Sequence, residues 1–342
     1  MQGDKAHVRQ SRAGLAAVLV AGYAASVILS VLVSRDAGGA ASLWTANGFL
    51  AAAFILLPRA WRFGVAGVCV AAQAATGLAV GDGPARAALY PLVNLAEAGL
   101  TGWLAIRFCD VRARRLSLRE LTLLPIVAIA PAAAAAGVLG GAISLLLAGE
   151  PPLEAWLAWT IPGALGMAIV LPAILLAVRT GQYKEFARPP LESAAILAAL
   201  GVLVAVVYLQ RELPLQFTLF PALTIIAARL GPPGAAAAAL LTATIALPLT
   251  LLGHGPAALA PHLDIAGRVR LTELVVAAAM ITTLVTAVAV GEQTRLRRLM
   301  LGRDRAARAA RLRARRAERA AAEAAEARAT AVKPRERVAG LV

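Results

Sequence analysis

Ten long apolar stretches constrain this chain more than any other feature. They run approximately over residues 14–34, 40–57, 63–80, 87–106, 121–147, 153–178, 191–209, 215–228, 234–252 and 271–291, each bounded by charge, proline or glycine. A soluble domain carries about 25% charged residues, whereas this chain has 15% against 60% hydrophobic. That much apolar surface cannot be buried between helices in water, so lipid is the solvent for much of it. In lipid every backbone N–H and C=O must be satisfied internally, which leaves helices or closed barrels. The unbroken apolar runs have no two-residue alternation, so helices are expected. The fold class is an all-α polytopic integral membrane helical bundle of about ten spans. The second, third and eighth stretches fall short of the roughly 20 residues of a perpendicular span, so eight spans is the alternative.

Charge placement orients the bundle. With the N-terminus inside, the cytoplasmic segments hold Lys5, Arg9, Arg12, Arg59, Arg62, Arg107, Arg112, Arg114, Arg115, Arg119, Arg179, Lys184, Arg188 and Arg229. The outer loops hold Arg35, Arg86, Arg211, Arg268 and Arg270. This bias follows the positive-inside rule and favours an even number of crossings with both termini cytoplasmic. The run over 14–34 exceeds the roughly 7–15 residues of a signal-peptide core, so it is read as a retained span.

The net charge of +15 is uneven. Residues 1–291 hold 19 Lys+Arg against 13 Asp+Glu, and residues 292–342 hold 15 against 6. Four regions follow: a cytoplasmic N-terminal segment 1–13, a membrane-embedded domain 14–291, a basic Ala/Arg/Glu-rich cytoplasmic helix 292–330, and a disordered tail 331–342. Strong helix formers fill 292–330, and Lys333-Pro334-Arg335 is expected to end that helix. Its leucines (Leu296, Leu299, Leu301, Leu312) make a weak heptad seam, so a homodimer has little sequence support. Arg-rich helices beside a span bind anionic lipid headgroups. Those headgroups are the expected partner of the tail, ahead of nucleic acid.

The sharpest polar feature lies in the fourth stretch, where Tyr90, Asn94, Glu97 and Thr101 recur at spacings of 4, 3 and 4 along one helical face. A carboxylate near mid-span is costly against lipid and faces the bundle interior, where it marks a ligand or proton site or else glues helices together. Asn47, in Trp44-Thr45-Ala46-Asn47-Gly48, is deep enough to reach it. Trp44 and Trp159 are possible pocket aromatics, although an interfacial anchor is the simpler reading of Trp44. Cys69, Gln73 and Thr76 share a face that reads as packing. Glu273, close to the outer end of the last stretch, reads as hydrated. Prolines inside several stretches (Pro125, Pro131, Pro162, Pro172, Pro221, Pro248) are kinks of the kind that surround cavities. Gly137, Gly140, Gly141, Gly163 and Gly166 read as close-packing positions.

Catalytic signatures are missing. No phosphate-binding Gly-rich loop, His-x-Glu metal cluster or Ser/His/Asp set occurs in an aqueous segment. Cys69 and Cys109 read as small core residues, and His7, His254 and His262 are too scattered to hold a metal. The chain is therefore read as no enzyme, with no cofactor and no metal.

Four motifs in order resemble the bacterial membrane-associated sensor domain of the first type (the MASE family). They are Trp44-Thr45-Ala46-Asn47-Gly48 with Arg59; Asn94-Leu95-Ala96-Glu97-Ala98; Trp159 with Gly163-Ala164-Leu165-Gly166 and Leu171-Pro172; and Phe220-Pro221 followed by Ala228-Arg229-Leu230-Gly231-Pro232-Pro233-Gly234-Ala235. The resemblance covers roughly residues 14–295. It implies a sensory module in a bacterial inner membrane. Members are usually fused to a histidine kinase, a diguanylate cyclase or a phosphodiesterase, whereas here the sequence ends after the helical tail. The resemblance therefore implies a cytoplasmic signalling partner such as a histidine kinase or cyclic-dinucleotide enzyme. One departure bears on function: members often carry an acid just before the Ala-Leu-Gly of the sixth stretch, where this chain has Gly163. Two other functions stay open, a small-solute or proton-coupled transporter using Glu97, and a membrane scaffold acting through the tail.

Overall fold

A computed structural model describes residues 2–33, 44–113 and 115–339, with side chains between residues 12 and 327 except 32, 33 and 185. Every regular element among them is a helix. In chain order these are α1 (Gln2–Val33), α2 (Ala46–Leu56), α3 (Arg59–Ala79), α4 (Pro84–Phe108), α5 (Leu118–Leu123), α6 (Ala130–Ala148), α7 (Pro152–Ala177), α8 (Pro190–Leu209), α9 (Leu219–Leu251) and α10 (Ile265–Ala339). The described chain divides into two compact units, Met1–Gly291 and Glu292–Val342, and α10 contributes to both.

Seven helical stretches are long and apolar enough to cross a membrane: Arg12–Val31, Arg59–Ala79, Leu118–Ala148, Pro152–Ala177, Pro190–Leu209, Leu215–Leu251 and Ile265–Ala327. The 21 residues of α3 supply a full span where the sequence reading made a short one, because the helix starts at Arg59. Helix α4 has the length, 25 residues, but carries the polar face and two terminal arginines. Helix α2, at 11 residues, is too short to cross. The ten apolar stretches thus fall on α1, α2, α3, α4, α5 with α6, α7, α8, two arms of α9, and α10. The span count is approximate and turns on how α2, α4 and α9 are counted.

Helices α5 and α6 are joined by a π-helical turn at Leu124–Ile129. Pro125 lies at its start and cannot donate to the carbonyl one turn back. The wider turn absorbs that loss without ending the span. A capping box at Ser117 and Glu120 starts this stretch, with the Ser117 N–H donating to Glu120 Oε2 at 2.6 Å.

Helix α9 is a hairpin of two antiparallel arms. Gly231 breaks it with φ 63° and ψ −164°, a conformation open to glycine, and Pro232-Pro233 follow. The two ends of α8 act as rulers. Arg229, just before the break, lies 3.9 Å from Glu192 at the α8 N-terminus. Past the far end of α9, the Gly255 N–H donates to the Gln210 carbonyl and His254 bonds the Leu209 carbonyl, both at the α8 C-terminus. Between Gln210 and Gly255 the chain therefore runs the length of α8 and returns. Residues 215–228 and 234–252, separate stretches in the sequence, are separate passes.

Two boundaries differ from the sequence reading. Helix α1 begins at Gln2, so most of the segment 1–13 is helical and continuous with the first span. Helix α10 runs to Ala339, through Lys333-Pro334-Arg335. Pro334 removes one donor, that for the Thr330 carbonyl, a small loss so close to the terminus. Residues 340–342 of the expected disordered tail lie outside the described residues.

Candidate functional site

Helix α2 is a half-length helix whose N-terminus starts deep in the bundle. The Trp44 carbonyl just before it rests on Gly166, near the middle of α7, at a separation no Cβ would permit. Helix α2 packs against α4 and α7, and its first turn brings Asn47 to the middle of α4. There Asn47 Nδ2 donates to Glu97 Oε2 at 2.6 Å and to Asn94 Oδ1 at 3.0 Å. All three residues are buried, with 0% (Asn47), 3% (Asn94) and 2% (Glu97) exposure. The Asn47 amide is thus the donor that faces the carboxylate.

The cluster is incomplete. Among the described residues, Glu97 Oε1, Asn47 Oδ1 and Trp44 Nε1 are buried atoms without a hydrogen-bond partner. Each such atom costs about 1–3 kcal/mol if left unmet. Glu97 and Trp44 also line a cleft with about 650 Å³ of unfilled space, bounded by Val31, Gln73, Asp82, Arg86, Tyr90, Pro91, Asn94, Trp159 and Pro162, among others. Its mouth is at the end of the bundle where α3 passes to α4, beside Asp82 and Arg86. Its floor is Glu97.

Aromatic side chains form one wall. Trp159 and Tyr90 meet edge to face with ring centroids 4.7 Å apart, a favourable arrangement. Trp159 Nε1 donates to Ser144 Oγ at 3.1 Å, and Tyr90 OH lies 3.2 Å from the same oxygen. Pro91 and Pro162 also line the cleft, which ties two proline-bearing helices to a cavity.

Gly163 sits directly against the acid. A Cβ built there would lie 2.6 Å from Glu97 Oε1. Glycine at 163 lets α7 approach the carboxylate this closely.

Asn47, Asn94 and Glu97 are thus brought together, with Tyr90, Trp44 and Trp159 in the walls of the same cleft. Thr101 is not in it; its hydroxyl meets Met167 Sδ at 3.5 Å, deeper in the bundle. Gln73, read from sequence as packing, lines the cleft and accepts a hydrogen bond from Tyr23 OH at 2.7 Å. The shared face of Cys69, Gln73 and Thr76 was the available signal, but spacing alone does not say what a face meets. Asp82 and Arg86 were missed because they lie in and beside a connector. Glu273 corrects the expectation of a hydrated group. It is 0% exposed, with both carboxylate oxygens unpartnered among the described residues, because α10 turns that face inward along with Val269, Val276 and Ala277. Among the residues searched, no group of His, Cys, Asp and Glu is arranged to hold a metal.

The profile of the MASE1 family matches residues 13–294, which contain every residue of the cleft. No curated protein and no solved structure matches the chain. A match across most of the sequence, over a multi-helix membrane body, places it plainly: the chain belongs to the MASE1 family of membrane sensory input domains.

Proposed function

We propose that the Glu97 cleft receives a small-molecule stimulus and that α10 passes the resulting change in helix packing to a cytoplasmic signalling protein, such as a histidine kinase or cyclic-dinucleotide enzyme. The bundle sits in a bacterial inner membrane with both chain ends in the cytoplasm, so the mouth beside Asp82 and Arg86 opens outward. The observation that carries this reading is Glu97 itself, a buried acid in the lining of a cleft with its Oε1 unpartnered among the described residues. A stimulus with an N–H or O–H group satisfies that atom, and with it a cost that a mere structural contact would have removed. Binding then favours whichever packing of α2, α4 and α7 presents the acid best. A ligand shifts an equilibrium only by such differential affinity. The cleft serves as a receptor here and is assigned no catalytic step.

Trp44 and Trp159 in the walls supply the assay. Small-molecule libraries are screened by intrinsic fluorescence on the full chain in nanodiscs. Hits are expected to lose affinity at least tenfold in Glu97→Gln and to bind Thr101→Val normally. Hits that bind both variants equally well would place reception elsewhere.

A second reading is favoured by two features, the half-length helix α2 whose first turn brings Asn47 to an acid and the second buried carboxylate at Glu273. Coupled transporters use such half-helices at the membrane midplane. Proton-coupled uptake into vesicles, lost in Glu97→Gln, would establish transport in place of reception.

A further inference from the structure

The other side of α4 carries a second cavity, at the opposite end of the bundle from the cleft mouth. It holds about 530 Å³ of unfilled space and is lined by Phe54, Arg59, Arg62, Gly99, Gly102, Trp103, Ile106 and Arg112. Three arginines converge on it, two from the first turn of α3 and one from the connector after α4. Arg62 feels the charge of both Arg59 and Arg112, and its Nε–H donates to the Leu57 carbonyl at 2.8 Å, which fixes the guanidinium in place. The ion pair recorded among the described residues, Arg229 with Glu192, lies elsewhere. Below the arginines the lining turns apolar. Trp103 is 59% exposed on the flank of α4, and its ring meets Phe108 edge to face at 6.2 Å. Gly99 leaves the wall open, since a Cβ there would meet only Phe54, at 4.0 Å.

We infer that this cavity is a binding site for an anionic phospholipid. The headgroup phosphate is held by Arg59, Arg62 and Arg112, and one acyl chain lies in the slot between Phe54, Gly99 and Trp103. The argument is charge complementarity joined to position. Three mutually repelling cations at the membrane–water boundary are stabilised by a phosphate, which accepts several guanidinium N–H bonds at once. Basic pockets between spanning helices bind such headgroups in this way. A free phosphate ion leaves the apolar slot and Trp103 unexplained, whereas a lipid covers both. This site is distinct from the basic tail beyond Gly291, and it does not depend on the receptor reading of the Glu97 cleft. It does share α2 with that cleft, for Asn47 and Phe54 stand at opposite ends of the same short helix.

The test uses the full chain in nanodiscs containing phosphatidylglycerol or phosphatidylcholine with brominated acyl chains, which quench a tryptophan they touch. Quenching of Trp103 is read as the difference between the wild type and Trp103→Phe. At equal mole fraction the brominated phosphatidylglycerol is expected to quench at least twofold more than the phosphatidylcholine. Two variants should remove that excess by different routes: Arg59→Ala/Arg62→Ala/Arg112→Ala takes away the charge, and Gly99→Leu fills the slot with charge intact. Equal quenching by the two lipids in the wild type, which needs no variant, would overturn the site. So would an excess that survives both variants, since it would then report the basic tail or general attraction to the bilayer.

Discussion

Two acids are equally buried in this bundle and differently housed. Glu97 has Asn47 and Asn94 beside it and a place in the lining of a cleft. Glu273 has neither a hydrogen-bond partner among the described residues nor a place in the lining of the principal clefts. Burial alone therefore does not mark a site. The difference is organisation: three helices converge to present Glu97, with glycine at 163 and 166 to let them approach. Among the described residues no hydrogen-bonding side chain is brought to Glu273 in this way. The proposed receptor reading rests on that organisation at Glu97 and gives Glu273 no part in it.

Substitutions can break or sharpen this contrast. The largest effect is expected at Glu97, where Glu97→Leu removes one of the two acceptors of the Asn47 amide and should lower stability by about 2–4 kcal/mol, because breaking a buried polar cluster leaves its partners unmet. Thermal unfolding of the full chain in detergent reads this as a clear fall in midpoint; an unchanged midpoint would make the cluster ornamental. Gly163→Val drives a branched side chain into Glu97 Oε1 and should cost about 1–3 kcal/mol through overpacking. Ligand binding should fail along with it, and retained binding would show that Oε1 does not face the stimulus.

Glu273→Leu should move stability the other way. Replacing an unpartnered buried acid by an apolar residue of similar size is expected to be neutral or to stabilise by about 1–2 kcal/mol. A marked loss would reveal a partner for Glu273 and erase the contrast. The smallest change is expected for Thr101→Val, under about 1 kcal/mol, since the hydroxyl meets only a thioether, a weak acceptor. Its ligand binding should match the wild type in the same fluorescence titration.

Much of the fold was legible because lipid demands long apolar helices, and the stretches delivered them. The polar face of α4 was legible because a 4, 3, 4 spacing can only align on a helix. What spacing cannot give is the partner of a face. Trp44 looked like an interfacial anchor until α2 proved to start deep, against Gly166. Gln73 looked like packing because its meeting with Tyr23 links residues 50 apart. Glu273 lies only eight residues into α10, near enough to its end to suggest water, and helix rotation decides that question. The reversal in α9 was marked by Gly231-Pro232-Pro233, yet only the contacts of its arms with the two ends of α8 make it a hairpin.

In the proposed relay the Glu97 cluster communicates with α10. Hydrogen–deuterium exchange on the full chain in nanodiscs, comparing the wild type with Glu97→Gln, tests it without needing the natural stimulus. Altered protection is expected in α2, α4 and α7 and also across the α10 residues on either side of Gly291. A change confined to α2, α4 and α7, with α10 exchanging as in the wild type, would contradict it.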